Sequence, residues 1–190
     1  MHAFARHSFM GSALAALLVA SACSTGDPGG QAVAERIPTL EDATALGVSN
    51  ARMPVAHLVT AGQLTEAQLD GLVEAGFTNF ISLRLATENG AGWEEGHLAS
   101  GPESFTRLPV AGSAGLTRET VEELDRLLDS AGDAGTVLYC GSSNRVGALM
   151  ALRAHWMDGA SPEEALALGK AAGMTGLEPA VAQLMGLSGG

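Results

Sequence analysis

The run TVLYC, residues Thr136–Cys140, constrains the fold more than any other part of the sequence. It is a continuous apolar run of strand length, which is typical of a central parallel strand covered on both faces. Four small or polar residues follow it, and then Val146, Leu149 and Leu152 recur at helical spacing. A buried parallel strand requires helices on both sides of its sheet, so this stretch predicts an α/β domain.

The rest of the chain alternates between strand and helix patterns. Strands are predicted at Ala56–Gln63, Phe77–Arg84, Phe105–Val110 and Thr136–Cys140. Helices are predicted at 65–76, 116–132, from Arg145 to Trp156, at 161–173 and at Leu177–Leu187. We therefore expect a three-layer fold in which helices flank a mainly parallel central sheet.

Two of these helices carry an N-terminal capping box. Thr65 is followed three residues later by Gln68, and Ser161 by Glu164, with Pro162 in the first helical position. In such a box each partner satisfies a backbone N–H that the helix leaves unpaired. Thr117 is a simple cap for the helix that follows it.

The N-terminus has the pattern of an export signal. Residues 1–22 carry a weakly positive start, a short apolar stretch and the small-residue box Ala20-Ser21-Ala22, and Cys23 follows at once. This resembles a bacterial lipoprotein signal, which implies that Cys23 is acylated and holds the protein on the periplasmic side of a membrane. The alternative is an ordinary cleavage, which leaves a soluble periplasmic or secreted protein.

These patterns predict three segments along the chain. Residues 1–22 are the signal peptide, 23–44 a tether and irregular lead-in, and 45–188 the folded domain. The formal net charge of −11 argues against nucleic acid and against a polybasic membrane patch. Of the two cysteines, one lies at the signal junction, so the domain holds the single thiol of Cys140. A lone thiol in an oxidising compartment is either buried and inert or functional.

The loop CGSSNR after the central strand has the features of an anion site. The small residues Gly141, Ser142, Ser143 and Asn144 let successive N–H groups turn inward, and the next helix adds its positive N-terminus. Arg145 can hold an oxyanion with two parallel hydrogen bonds. The same positive field favours the thiolate of Cys140, so the loop predicts both an anion cradle and a nucleophile.

The loop resembles the active site of cysteine-dependent phosphatases of the dual-specificity type. It is more similar to a bacterial family of small phosphatase-like domains, found alone or fused to metallo-hydrolases, whose loops read HCxSGNRxGAL. The segments HLVTAGQLTEAQLDGLVEAGFTNFISLR, LPVAGSAGLTRETVEEL and GASPEEALALGKAAGMTGLEPAV extend the resemblance over about Ala45–Met185. It implies a cysteine-phosphatase-like fold, a phosphorylated or other anionic substrate, Cys140 as nucleophile and Arg145 as phosphate ligand.

Three positions depart from the phosphatase pattern. Arg145 is five residues after Cys140, one fewer than in most phosphatases and a spacing that also resembles rhodanese loops. Tyr139 stands where the family has histidine, and Ser143 where it has glycine. If the backbone at Ser143 has positive φ, a serine there costs on the order of 1 kcal/mol. Two alternatives stay open: a sulfurtransferase with a Cys140 persulfide, and a domain that binds an anion or partner without catalysis.

The sequence gives no carboxylate at the place where such phosphatases keep their general acid, about thirty residues before the cysteine. Glu88, Glu94 and Glu95 are the candidates elsewhere, and solvated loop charges are their favoured interpretation. Arg84 ends a predicted strand on the same sheet edge, where it either assists anion binding or forms a structural ion pair. His97 beside two glutamates is too weak a pattern for a metal, so we expect neither a metal nor another cofactor.

Overall fold

The structure, a computed structural model, describes residues 36–187. The predicted signal peptide, Cys23 and most of the predicted tether lie outside these residues. Within the described part of the chain, no helix has the length and apolar character needed to cross a membrane.

A five-stranded sheet forms the centre of the domain. Its strands are β1 (Arg52–Val55), β2 (Leu58–Ala61), β3 (Asn79–Ser82), β4 (Ser104–Arg107) and β5 (Thr136–Tyr139). Their order across the sheet is β1-β2-β5-β3-β4, and every pair is parallel except the antiparallel pair β1–β2. The apolar run at Thr136–Tyr139 is thus the central strand, with parallel neighbours on both sides.

Helices cover both faces of this sheet. They are α1 (Leu40–Ala45), α2 (Glu66–Glu74), α3 (Glu94–Leu98), α4 (Arg118–Ala131), α5 (Asn144–Trp156), α6 (Pro162–Ala171) and α7 (Glu178–Leu184). One core joins α1, α2 and α3 to the sheet, and the other joins α4 to α7 to the opposite face. The predicted three-layer α/β fold is confirmed.

Residues along β5 alternate between the two cores, because successive side chains of a strand point to opposite faces. Val137 and Tyr139 belong to the core under α1 and α2. Leu138 and Cys140 belong to the core under α4 and α5. All four are buried, so the unbroken apolar run reflects cover on both faces.

Four local predictions need correction. Helix α1 lies in the predicted irregular lead-in and buries Ala43 completely, so the folded domain includes residues before 45. Strand β1 was not predicted, because Pro54 in so short an edge segment hides its pattern. Helix α3 lies within the predicted loop between β3 and β4, and α7 is shorter than the predicted helix at Leu177–Leu187.

The predicted helix starts are confirmed. Thr65 with Gln68 forms a capping box for α2, and Ser161 with Glu164 forms one for α6. Thr117 accepts a hydrogen bond from the backbone N–H of Thr120 at the start of α4. These helices therefore begin where their sequences predict.

Candidate active site

The loop from Cys140 to Ser143 leaves the carboxyl end of β5 and leads into α5. Parallel strands β2 and β3 flank β5, so the loop lies at the edge where all three strands end. Gly62, just after β2, pairs with Ser142, and the Gln63 N–H donates to the Gly141 carbonyl (3.3 Å). A Cβ at Gly62 would lie 2.5 Å from Ser49 Oγ and 3.3 Å from the Gly141 carbonyl, so a side chain there would require Ser49 to shift.

Cys140 lies at the base of the loop. It is a free cysteine with 1 % of its surface exposed. Its neighbours Gly141 and Ser142 are exposed, so the loop itself reaches the surface above the thiol. This placement fits a nucleophile at the floor of an anion cradle.

Ser143 is the residue at which the loop turns into the helix. Its φ of 67° lies in the left-handed region, which favours glycine over residues with a side chain. Although it occupies the N-cap position, its side chain makes no capping bond, and the buried Oγ has no hydrogen-bond partner. The first turn of α5 is therefore not closed by its own serine.

Asn144 anchors the loop from behind. Its Oδ1 accepts hydrogen bonds from the backbone N–H groups of Thr175 (2.8 Å) and Leu177 (3.2 Å). The amide side chain thus ties the start of α5 to the segment before α7.

Arg145 is held in one orientation by its outer nitrogens. Nη1 donates to Glu88 Oε1 (2.6 Å) and to the Val110 carbonyl (2.9 Å), while Nη2 donates to Glu88 Oε2 (2.8 Å). The Nε–H and the second Nη2–H lie side by side on the remaining edge of the guanidinium, and the Cys140 thiol is close enough to contribute to the raised pKa of Arg145. A Cβ at Gly141 would lie 3.7 Å from Nη2, so this nitrogen lies beside the loop. That edge can bind two oxygens of an anion.

The charges around Arg145 are strongly coupled. The hydrogen bond that Arg145 donates to Glu88 raises the pKa of Arg145, with smaller contributions from Cys140. In return, the hydrogen bond from Arg145 lowers the pKa of Glu88 to about 2, helped by the Leu85 N–H and Arg84. Glu88 is therefore an ionised clamp on the arginine, and its interpretation as a solvated loop charge is wrong.

Arg84 lies next to this clamp and is buried. Its Nε donates to Glu88 Oε2 (3.0 Å), its Nη1 to Gln63 Oε1, and its Nη2 to the Asn89 carbonyl (2.7 Å). These contacts favour the structural ion pair of the two alternatives for Arg84. It still places a second positive charge on the carboxylate that holds Arg145.

A second ionic group lies on the Tyr139 face of the sheet. The Tyr139 hydroxyl donates to Glu94 Oε1 (3.1 Å), and Arg107 donates to Glu94 Oε2 (2.9 Å) and to Glu95. Glu94 is fully buried, so a solvated loop charge is wrong for it as well. Tyr139 points away from the Cys140 face, and its role is to hold Glu94.

The carboxylates of this group stay ionised. Burial raises the pKa of Glu94, but hydrogen bonds from its own N–H and from Arg107 outweigh it and leave the pKa below its ordinary value. The hydrogen bond from Arg107 likewise lowers the pKa of Glu95. Burial, followed by the charge of Glu94, raises the pKa of Tyr139. None of the three groups is poised to give up a proton near neutral pH.

The Val110 carbonyl reaches the arginine from the β4 side, and a short segment follows it. This segment forms a 3₁₀ turn at Gly112–Gly115, and its side chains are small, with Ser113 as the polar one.

Among the described residues there is no cluster of three or more metal-ligating side chains. His97 pairs instead with Asp70, whose hydrogen bond raises the pKa of the imidazole.

Sequence reasoning placed Cys140, the loop and Arg145, but it missed the residues that orient the arginine. Glu88 follows Arg84 by four residues, which is the spacing of a helical ion pair and was the available signal. Gln63 accepts a hydrogen bond from Arg84, and its backbone N–H donates to the Gly141 carbonyl of the loop. In the sequence, only its position directly after Gly62 indicated such a role.

No family model and no curated protein matched this sequence. Solved structures did match. A candidate phosphatase (DUF442) from Shewanella putrefaciens aligns with a TM-score of 0.59 and 16 % identity over 77 % of this chain and 99 % of that one. A candidate phosphatase from Neisseria meningitidis gives 0.59 and 21 % over 72 % and 97 %. Tk-PTP in its active form gives 0.53 and 16 % over 72 % and 95 %.

These similarities concern the fold, because the sequence identities are low. They confirm the fold-level resemblance to phosphatases that the separated sequence segments indicate. The match covers almost the whole of each neighbouring chain. The chemistry has to be argued from the residues of this chain.

Proposed function

We propose that this protein is a cysteine-dependent phosphatase that hydrolyses phosphate monoesters at the Cys140 loop. One observation carries the proposal: Glu88 fixes Arg145 so that its remaining edge lies beside the loop that begins with the domain's only thiol. A fixed guanidinium, an uncapped helix start and a thiol at one point match what phosphoryl transfer to sulfur needs.

In the proposed reaction, the thiolate of Cys140 attacks phosphorus and the bond from phosphorus to the ester oxygen breaks. Arg145 and the loop N–H groups bind the equatorial oxygens, on which charge is spread in the transition state. Water then attacks the phosphocysteine, the sulfur–phosphorus bond breaks, and inorganic phosphate leaves as the thiolate is restored.

The leaving oxygen takes its proton from water in this scheme, because Glu88 and Glu94 are held as ionised acceptors. General acid catalysis typically contributes 10²–10⁴-fold. An activated aryl phosphate, whose leaving group is stable as an anion, is therefore the sharpest substrate for a first test.

The test is hydrolysis of p-nitrophenyl phosphate by the wild type, Cys140→Ser and Arg145→Ala. Cys140→Ser is expected to abolish turnover, and Arg145→Ala to lower kcat/KM by about 10²–10³-fold. Arg126→Ala is the matched control, because Arg126 is an exposed arginine paired only with Glu123. Wild-type turnover no faster than that of Cys140→Ser would sink the proposal.

The two alternatives give different results in the same preparation. A sulfurtransferase would form thiocyanate from thiosulfate and cyanide and would carry one extra sulfur atom on Cys140. A domain that only binds would hold phosphate with equal affinity before and after Cys140→Ser and turn over neither substrate.

Export and lipid anchoring at Cys23 belong to the same proposal and are supported by the sequence pattern alone. Their test is incorporation of labelled fatty acid in a bacterial host, with Cys23→Ser as the control. Loss of label and release of the protein from the membrane fraction are expected for Cys23→Ser. Equal membrane binding of both forms would contradict the lipid anchor.

A further inference from the structure

Within residues 36–187, Arg52 is an arginine that forms no salt bridge, although the protein is acidic. Six arginines of the described residues form salt bridges: Arg36, Arg84, Arg107, Arg126, Arg145 and Arg153. Among residues 36–187 only Arg118, which stacks on Trp156, and Arg52 do not. The described side-chain hydrogen bond of Arg52 runs from Nη1 to the Asn50 carbonyl (2.8 Å). With 21 acidic residues in the chain, a shortage of carboxylates does not explain this.

The sheet places Arg52 beside the Cys140 loop. Arg52 begins β1 opposite Thr60, and β1 runs antiparallel to β2, so Arg52 lies at the edge where β2 and β5 end. The residues before it continue this contact, since Ser49 accepts a hydrogen bond from the N–H of Gly62 (2.8 Å). Gly62 is the residue that pairs with the loop.

A second contact puts the guanidinium against the turn into α5. A Cβ at Gly173 would lie 2.5 Å from Ser143 Cβ and 3.0 Å from Arg52 Nη1, so the two side chains meet over this glycine. The Oγ of Ser143 is buried there without a hydrogen-bond partner. Arg52 is half-buried, so its donors are partly shielded from water.

Arg52 and Arg145 approach the loop from opposite sides. The partners of Arg145 follow β3 and β4, while Arg52 belongs to β1 at the other end of the strand order. The loop after β5 lies between them. The two arginines therefore lie on either side of the loop that follows β5.

We propose that Arg52 is a specificity residue that binds a second anionic group of the substrate. It selects phosphate esters that carry a further phosphate or carboxylate close to the scissile phosphate. In a protein of net charge −11, such a polyanion is repelled overall, and a local unpaired guanidinium is what compensates this repulsion. This inference rests on the proposed function, because it takes the Cys140 loop as the primary phosphate site.

The test measures binding of inorganic phosphate and of pyrophosphate to the Cys140→Ser protein by calorimetry. Pyrophosphate is expected to bind about tenfold more tightly than phosphate, as a charge-assisted hydrogen bond to a second group provides. Adding Arg52→Ala should remove this preference. It should change the affinity for phosphate by less than about twofold, because sites without shared partners act nearly independently. Arg52→Lys should restore part of it. Arg118→Ala is the matched control and should change neither affinity.

The outcomes separate this inference from the proposed function. No phosphate binding at all would defeat the proposed function. Phosphate binding without a preference for pyrophosphate would overturn the role of Arg52. Equal weakening of both ligands by Arg52→Ala would also overturn it, because Arg52 would then only support the loop.

Binding of a phosphotyrosine peptide with adjacent glutamates is measured in the same way. A larger Arg52 dependence for the peptide assigns the second anion to a protein substrate, and a larger one for pyrophosphate assigns it to a small bisphosphate.

Discussion

Helices α5 and α6 both begin after a serine, yet the two serines differ in conformation and in contacts. Ser161 is extended (φ −60°, ψ 153°), and its Oγ accepts a hydrogen bond from the N–H of Glu164 (3.3 Å) while Glu164 reaches back to it. Ser143 has φ 67°, and its Oγ makes no hydrogen bond. The start of α6 is closed by its own side chains, whereas the start of α5 is not.

The difference fits the proposed function, in which the α6 start serves stability and the α5 start serves anion binding. A capping box satisfies N–H groups that a helix leaves unpaired, and it stabilises the helix. At α5 the chain has a left-handed residue and no side-chain cap. In the proposed function, this leaves the positive end of the helix available to an anion next to Cys140. Strained backbone of this kind is often found at functional sites.

The largest expected effect in this comparison comes from weakening the ion pair between Glu88 and Arg145, which lies in the first turn of α5. Glu88→Gln removes the charge that orients Arg145, so we expect the affinity for phosphate to fall by about tenfold to a hundredfold. The matched change Glu164→Gln at α6 should leave phosphate affinity unchanged. Calorimetric titration with phosphate checks both. Equal affinity of Glu88→Gln and wild type would show that the clamp does not prepare the arginine for anions.

Removing each serine hydroxyl should affect the stability of the protein more at α6 than at α5. Ser161→Ala is expected to lower the free energy of unfolding by about 1 kcal/mol, because the α6 cap is lost. Ser143→Ala should change the stability by less, since no capping bond is broken there. Urea unfolding of both variants measures this. A loss at Ser143 as large as that at Ser161 would mean that its hydroxyl stabilises α5 after all.

Glycine at the same two positions should give effects of opposite sign. Ser143→Gly relieves the left-handed strain and is expected to stabilise the protein by up to about 1 kcal/mol. Ser161→Gly loses its cap in an extended residue and should destabilise by a few tenths of a kcal/mol. The same urea experiment decides the matter, and destabilisation by Ser143→Gly would show that the backbone there carries no strain.

Periodicity and caps made most of the fold predictable. The continuous apolar run at Thr136–Tyr139 predicted the central strand, and the capping boxes at Thr65 and Ser161 predicted two helix starts to the residue. Helix α1 was not predicted, because six residues are too few to show a helical period. Strand β1 was not predicted, because Pro54 hides its pattern. Their structure depends on packing against the rest of the domain.

Local motifs pointed to Cys140, the loop and Arg145 as the candidate site. The residues that orient them could not be predicted, because Glu88 and Arg145 are 57 positions apart and meet only after β3 and β5 pair. The same holds for Tyr139 and Glu94, whose contact spans 45 positions. Charged residues in a long loop look solvated in the sequence, and only the fold shows that the arginines at the sheet edge hold them.

The smallest expected effect is the response of the two helix starts to acid. Glu164 has a pKa below its ordinary value because of hydrogen bonds from Ser161, so its contribution is present above about pH 4.5 and is lost as the pH falls through the lowered pKa. The pKa of Glu88 is about 2, so the clamp on Arg145 persists to lower pH. Glu164→Gln should therefore differ from wild type in unfolding free energy above pH 5, and the difference should shrink on acidification. A difference that grows instead would mean that Glu164 is not stabilised as a carboxylate at the start of α6.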